Sequence, residues 1–217
     1  EKLPFMATSC CPAWSVMAKK LFPEQANSIS MALTPMTLTA RLIKHHQPGA
    51  KVAFIGPCAA KKLEAMRRTV RSEVDFVLTF EEMAGIFEAR HIDVNTLKED
   101  PHGVNDASAD GRNFAVSGGV AQAVVNVIKE KYPDREIKVA NAEGLSECRK
   151  LMMMAKAGKY NGYLLEGMAC PGGCVAGAGT MQSIKKSSVA VNMYAKQAEH
   201  QVATGTHHVA ELDKLVD

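Results

Sequence analysis

Residues 160–174, YNGYLLEGMACPGGC, combine an apolar run with two of the six cysteines in the chain. The first part, residues 160–166, is a short run rich in aromatic and aliphatic side chains, which predicts a strand. The second part places Cys170 and Cys174 on either side of Pro-Gly-Gly, which has little side-chain bulk. Such a backbone can curl tightly and point its amide groups at sulfur or at a bound inorganic group. The stretch therefore predicts a strand that ends in a cysteine-bearing turn.

Predicted strands and helices alternate along most of the chain. Strands are predicted at residues 51–56, 75–80, 137–142 and 160–166, and helices at residues 12–22, 35–47, 59–68, 81–90, 118–131 and 144–157. This alternation indicates α/β architecture with parallel strands. The polar, Gly- and Asp-rich residues 97–113 predict the longest loop. Residues 1–180 are predicted to form one domain, and residues 181–217 a C-terminal, partly helical extension.

The composition narrows the functional classes. Apolar residues make up 47% of the chain, which is typical of a globular protein. The net charge of +3 comes from 26 basic and 23 acidic residues, a balance that argues against binding to nucleic acid or to an anionic membrane. No apolar run reaches the roughly 18 residues that a membrane span needs. We therefore expect no membrane span and no nucleic-acid partner.

Five of the six cysteines lie in three short motifs. These motifs are residues 8–14 (TSCCPAW), 57–64 (PCAAKKLE) and 166–174 (EGMACPGGC). A disulfide framework is unfavourable in a chain of this length, since the adjacent Cys10 and Cys11 could pair only with strain. We expect thiolates held for a metal in a reducing compartment, and hence a cytoplasmic protein. Each motif follows a predicted strand or precedes a predicted helix, where free amide groups favour thiolate and an anionic cluster.

Two simpler interpretations compete with a metal cluster. A structural zinc site also takes four cysteines, but usually as two pairs spaced two to four residues apart, whereas Cys58 stands alone. Free cysteines can also be small buried hydrophobes, and this is our expectation for Cys148 inside a predicted helix. That explanation fits poorly for five cysteines in turns flanked by Gly and Pro.

The three motifs resemble, in order and roughly in spacing, the signature motifs of the iron-only (FeFe) hydrogenase large subunit. The resemblance covers residues 8–180 and includes residues 114–120 (FAVSGGV). It implies two lobes of mainly parallel sheet flanked by helices, with the cofactor cleft between them. It also implies a six-iron cofactor, the H-cluster, in which a 4Fe–4S cubane joins a two-iron unit with carbon monoxide, cyanide and azadithiolate ligands.

The resemblance assigns a role to each motif residue. It implies that the cubane is held by four cysteines, of which the last also bridges to the two-iron unit: Cys11, Cys58, Cys170 and Cys174. A cubane usually takes four thiolates. Cys10 is then left over, and the resemblance implies that it carries protons near the azadithiolate amine, helped by a thiol pKa of about 8.5. The alternative is that Cys10 is only a neighbour of Cys11.

The resemblance also implies roles for four further residues, and two of these residues have a simpler alternative. Ser30 falls near a serine of the family's proton path, but it could be a polar residue at a helix entry. Lys61 would donate to a metal-bound cyanide, in a charge-assisted hydrogen bond. Met168 would be a soft wall against the two-iron unit, or ordinary core. Phe114 would line the same pocket.

The implied activity is that of an oxidoreductase that interconverts dihydrogen with two protons and two electrons. The expected partners are ferredoxin or a similar electron carrier, and the proteins that mature the H-cluster. The alternatives are a hydrogen sensor and an iron–sulfur assembly scaffold without turnover. Gly56 stands where active enzymes usually have Met, and we expect it to widen the pocket. The family's usual stretch before the first motif is absent, so we expect this chain to be a fragment.

Overall fold

The computed structural model describes residues 3–98 and 106–212. Its larger sheet has three parallel strands in the order β1–β5–β4, where β1 is Met6–Ala7, β4 is Lys138–Glu143 and β5 is Tyr163–Met168. The central strand β5 is buried along nearly its whole length, as expected for a parallel strand covered on both faces. The strand predicted at residues 160–166 is confirmed from Tyr163 onward and extends to Met168, whereas residues 160–162 form a turn.

Helices cover both faces of this sheet. Leu165 packs with α1 (Pro12–Leu21) and α7 (Leu145–Lys156) on one face, in a core that includes the fully buried Cys148. The neighbouring Leu164 packs with α6 (Gly119–Lys131) on the other face. Successive side chains on a strand point to opposite faces, so these two leucines anchor the two helical layers.

The smaller sheet pairs two parallel strands, β2 (Ala53–Ile55) and β3 (Phe76–Leu78). Around it lie α2 (Pro35–His46), α3 (Ala60–Met66) and α4 (Phe80–Ala89). The apolar run at residues 51–56 predicted a buried strand, but Ile55 is 47% exposed. In the part of the chain that the structure describes, no third strand pairs with this sheet, which leaves part of it open to solvent.

The predicted loop at residues 97–113 is wrong in its last part. Ser108 caps a short helix, α5 (Ala109–Arg112), by accepting a hydrogen bond from the Gly111 amide at 3.1 Å. Residues 113–115 continue as a 3-10 turn. The polar composition that predicted a loop contains the cap that starts a helix. Residues 99–105 of this prediction lie outside the described part of the chain.

The C-terminal part contains α8 (Ile184–Ala195) and α9 (Val209–Leu212). The Ala109 amide of α5 donates to the His200 carbonyl at 2.9 Å, and the next amide donates to the Gln201 carbonyl at 3.1 Å. The division of the chain at residue 180 stays a prediction. Within the described ranges, every helix is too short or too polar to cross a bilayer.

Trp14 joins the first cysteine motif to the third. Its ring is fully buried, and its Nε1 donates to the Thr8 carbonyl at 3.0 Å. The ring lies so close to Gly167 of β5 that a Cβ there would be 2.3 Å from ring atom Cδ2. Only glycine leaves room for this contact, which fixes α1 against the central strand.

We predict that Gly167→Ala lowers the free energy of unfolding by about 1–3 kcal/mol or more, because the added methyl forces Trp14 out of its packed position. Urea denaturation of the chain measures this change. The matched control is Gly85→Ala in α4, where an added Cβ meets nothing within 4 Å. That variant should be neutral or more stable by up to about 1 kcal/mol, and equal losses in both variants would contradict the role of Trp14.

Candidate metal centre

Five cysteines line one cavity of about 120 Å³ at the carboxyl ends of three strands. Cys10 and Cys11 follow β1, Cys170 and Cys174 follow β5, and Cys58 follows β2 of the other sheet. The cavity therefore draws on both sheets. Ligand sites in open α/β sheets lie at this end of the strands.

Glycine backbone brings the third motif close to its neighbours. Gly173 has φ +93°, and a Cβ on it would lie 2.6 Å from the Ser117 nitrogen. A Cβ on Gly177 would lie 2.3 Å from the Pro57 carbonyl oxygen, which also accepts a hydrogen bond from the Gly179 amide at 2.9 Å. The segment directly after the third motif thus touches the second motif through the main chain, and this positions Cys58 relative to Cys174.

Cys11 is the N-cap of α1, and Pro12 is the first residue of that helix. Its sulfur accepts a hydrogen bond from the Ala169 amide at 3.5 Å, so the first motif is tied to the turn after β5. Cys58 lies directly before the N-cap of α3. The third motif follows β5, as expected, and a short 3-10 turn, Cys174–Ala176, begins at its last cysteine.

The spacing of the sulfurs bears on the zinc alternative. A tetrahedral zinc site with Zn–S bonds of about 2.3 Å requires sulfurs about 3.8 Å apart. All six cysteines lie in the described ranges, and no three of them bring their sulfurs within 4.8 Å of one another. The arrangement is too open for a single preformed zinc ion, whereas a cluster of several metal atoms would separate its thiolates further.

A second cavity, of about 280 Å³, adjoins the first. The two share five lining residues: Cys10, Cys58, Lys61, Met168 and Cys174. Phe114 lines only the second cavity. The structure therefore brings together eight of the nine residues that the sequence singled out.

Ser30 is the exception. It lines a separate cavity with Ser9 and Glu64, and its Oγ accepts a hydrogen bond from the Ala32 amide at 3.1 Å. Its own amide donates to the Ala7 carbonyl at 2.8 Å. Ser30 does not line either cysteine cavity, and its place in a proton path stays a prediction.

Lys61 is a buried cation, 7% exposed, at the boundary of the two cavities. Its Nζ lies 2.8 Å from Oε2 of Glu64, which is also buried. The ion pair offsets the cost of burying either charge. An ammonium has three donors, so the pair leaves Lys61 able to donate to a group in the cavity.

We expected Gly56 to widen the second cavity, but the neighbouring side chain prevents this. A Cβ on Gly56 would lie 2.8 Å from Cε1 of Phe54, and both residues line that cavity. The aromatic ring of Phe54 therefore occupies the space that a side chain at position 56 would need.

Burial keeps several of the thiols protonated while they hold no metal. It raises the pKa of Cys10 to about 12, with a further contribution from the charge of Glu166, while Lys61 acts in the opposite direction. Burial likewise raises the pKa of Cys174 to about 11. The value expected for Cys10 from an ordinary thiol is thus too low for this environment. Metal binding to Cys174 would have to release its proton.

Glu166 is a residue that the sequence analysis left without a role. It is fully buried, and it accepts hydrogen bonds from the Gly118 amide at 2.7 Å and the Ala121 amide at 2.5 Å, at the start of α6. Burial raises the pKa of this carboxyl. An acidic residue inside an apolar strand was the available signal, since such a residue is rarely buried without partners.

We predict that Glu166→Gln lowers the free energy of unfolding by about 1–3 kcal/mol, because a glutamine can present only one acceptor oxygen to the two buried amides. Chemical denaturation of the chain measures the change. Glu147→Gln is the control, since Glu147 lies on the surface of α7 in an exposed pair with Lys150 and should change stability by less than about 1 kcal/mol. A Glu166→Gln variant as stable as the control would remove this anchoring role.

Fold and site together define an α/β protein with a cysteine-lined cavity at its strand ends. The model of the iron-only hydrogenase large subunit, C-terminal domain, matches residues 1–178, and the chain belongs to this family. Iron–sulfur is the cofactor class of the family, which accounts for the cysteine cavity.

Individual relatives agree with this assignment. The chain is 30% identical over 215 residues to the periplasmic Fe hydrogenase large subunit of Nitratidesulfovibrio vulgaris, covering 79% of the chain and 50% of that relative. It is 26% identical over 138 residues to the cytosolic Fe–S cluster assembly factor NAR1 of Kluyveromyces lactis, covering 59% of the chain and 29% of that relative. The match thus spans half of the length of that hydrogenase subunit and less than a third of the length of that assembly factor.

A solved FeFe-hydrogenase structure, from work on oxygen inactivation of the H-cluster, has the same fold. It superposes with a TM-score of 0.77 at 23% identity, covering all of this chain and 71% of the other. The α/β architecture with parallel sheets flanked by helices is therefore confirmed.

Proposed function

We propose that this chain is the catalytic domain of an FeFe-hydrogenase, which interconverts dihydrogen with two protons and two electrons at a six-iron H-cluster. The observation that supports the proposal most is the pair of adjoining cavities that share Cys174. One cavity is surrounded by cysteines, and the other is largely apolar with the buried cations Lys61 and Arg112 in its lining. A two-part cofactor joined through one sulfur requires such an arrangement.

The proposed ligands of the cubane are Cys11, Cys58, Cys170 and Cys174. Their fit rests on the donor set, since a 4Fe–4S cluster takes four thiolates. The Ala169 amide that donates to Cys11 would also stabilise the thiolate form of that sulfur. Cys174 lines both cavities and is the proposed bridge.

The second cavity would hold the two-iron unit, which supplies the hydrogen chemistry when bound. Lys61, fixed by Glu64, would donate a charge-assisted hydrogen bond to a cyanide ligand. Met168 and Phe114 would exclude water from the same space. These residues orient and shield a group rather than react with it.

Cys10 is the proposed proton carrier, because it lines both cavities without being needed as a cubane ligand. Its thiol would hold a proton on Sγ and give it up next to the second cavity. The raised pKa that burial gives this thiol keeps its proton on Sγ while the chain holds no metal. A positioned proton-transfer group contributes about 10²–10⁴-fold to such a step, and most when its pKa lies near the working pH.

The proposal includes partners and a location. Ferredoxin or a similar carrier would exchange electrons with the cubane, and dedicated maturation proteins would insert the two-iron unit. We propose a cytoplasmic location from the free cysteines, although one hydrogenase relative is named as periplasmic.

A second candidate function is that of an iron–sulfur assembly factor without turnover, which the similarity to NAR1 favours. A hydrogen sensor with the same cofactor is a variant of the first proposal. The second cavity, with Lys61 and Cys10 at its boundary, favours hydrogenase over assembly factor because a cubane alone would leave this space unused.

We predict that the protein, matured with the family's accessory proteins, shows infrared bands of metal-bound carbon monoxide and cyanide. The bands should disappear in Cys174→Ser, which loses the proposed bridge, and remain in Cys148→Ser, whose cysteine lines neither cavity. Iron binding without these bands in the unsubstituted protein would contradict the hydrogenase proposal and support the assembly factor.

We also predict that Cys10→Ala keeps the infrared bands but lowers hydrogen turnover at least about 100-fold, because alanine cannot carry a proton. Hydrogen evolution with a chemical reductant measures turnover. Cys148→Ala, at a buried cysteine away from both cavities, should retain activity. Undiminished turnover in Cys10→Ala would remove this residue from the mechanism.

A further inference from the structure

A cluster of metal-binding side chains lies outside both cysteine cavities. Asp106, His207 and His208 bring one carboxylate and two imidazoles together, with ligand atoms that all lie within 4.8 Å of one another. Among the residues that the structure describes, no other group of three such side chains is this close. Two of the three lie beyond residue 178, where the match to the hydrogenase family ends.

The two imidazoles converge on one carboxylate oxygen. Oδ2 of Asp106 lies 3.1 Å from Nε2 of His208 and 3.8 Å from Nε2 of His207. The two rings are tilted by 42° with centroids 3.9 Å apart. Metal–nitrogen bonds of about 2.0–2.1 Å place neighbouring ligand atoms about 3–3.5 Å apart, so small side-chain rotations would complete the set.

A second carboxylate contacts the far side of His208. Oε2 of Glu211 lies 3.6 Å from Nδ1 of His208 and 3.5 Å from Nε2 of His46 on α2. A histidine that binds a metal through one ring nitrogen usually donates the other N–H to a carboxylate, which fixes the ring and its tautomer. Glu211 therefore supplies the support that the Nε2 atom of His208 would need as a ligand.

We propose that Asp106, His207 and His208 bind one divalent transition-metal ion, with Glu211 orienting His208. Imidazole with carboxylate suits Zn²⁺ and similar ions rather than Ca²⁺ or Mg²⁺, which prefer all-oxygen sites. The three ligands leave positions for water. The proposal does not depend on the hydrogenase function, since none of these residues lines the cysteine cavities.

Such an ion would link the C-terminal segment that carries His207 and His208 to the part of the chain that matches the family. The same two segments already meet where the Ala109 and Asp110 amides donate to the carbonyls of His200 and Gln201. Gly111 and Arg112 of α5 line the second cavity. A bound metal would thus fix the segment that supports one wall of that cavity.

The test is equilibrium dialysis of the chain against Zn²⁺ at about pH 8, because metal ligands bind in their deprotonated forms, followed by X-ray absorption at the zinc edge. The spectrum separates zinc bound by nitrogen and oxygen from zinc bound by the cysteine sulfurs. We expect one zinc ion per chain with nitrogen and oxygen ligands. This zinc should be lost in Asp106→Asn and in His208→Gln, and retained in His91→Gln, an exposed histidine outside the cluster.

Glu211→Gln gives a finer test, because it should keep the stoichiometry while weakening affinity about 10–100-fold. Absence of nitrogen- and oxygen-bound zinc in the unsubstituted chain would overturn the proposal. An unchanged amount of such zinc in His208→Gln would also overturn it, since the ion would then bind elsewhere. Zinc bound only by sulfur would report the cysteine cavity and count against this site.

Discussion

Close backbone approach at glycine positions after and within β5 is the constraint on which the site depends. Gly167 admits the ring of Trp14, Gly173 meets residues 115–117, and Gly177 meets the Pro57 carbonyl. Through the Gly167 and Gly177 contacts, β5 and the segment after it touch the other two cysteine motifs directly. Two sheets that share no strand pairing thus contribute to one cavity. A side chain at these glycines would push the motifs apart, and the cysteines with them.

The electrostatics of the site follow from its burial. The thiols of Cys10, Cys170 and Cys174 have raised pKa values because they are desolvated. Lys61 favours the thiolates of Cys10 and Cys174. The carboxylate of Glu64 in turn offsets the charge of Lys61. A cluster bound by thiolates would therefore displace the protons of these thiols. It would also raise the free energy of unfolding, because the unfolded chain lacks the site and the free energy of binding adds to that of folding.

The local patterns predicted most elements and the three cysteine motifs, but contacts between distant residues were beyond them. β1 has two residues and therefore shows no periodicity, although its pairing with β5 positions Cys10 and Cys11. α5 was missed because Ser108 and Asp110 carry both turn and capping signals. Glu166 acquires its partners only when α6 packs on β5, and Asp106 meets His208 across 102 positions of sequence. Such pairings arise from tertiary packing, which neighbouring residues do not encode.

Iron-57 Mössbauer spectroscopy of the chain, after anaerobic reconstitution with iron and sulfide, shows whether the cysteine cavity holds one cluster. If four cysteines from three motifs hold one cluster, the spectrum will show a single 4Fe–4S cubane with four irons per chain. The cubane will be lost in Cys58→Ser and kept in Cys148→Ser, because the buried Cys148 thiol lines neither cavity and donates to the backbone carbonyls of Ala142 and Met168. A cubane that survives Cys58→Ser, or iron bound only as single ions, would contradict the account.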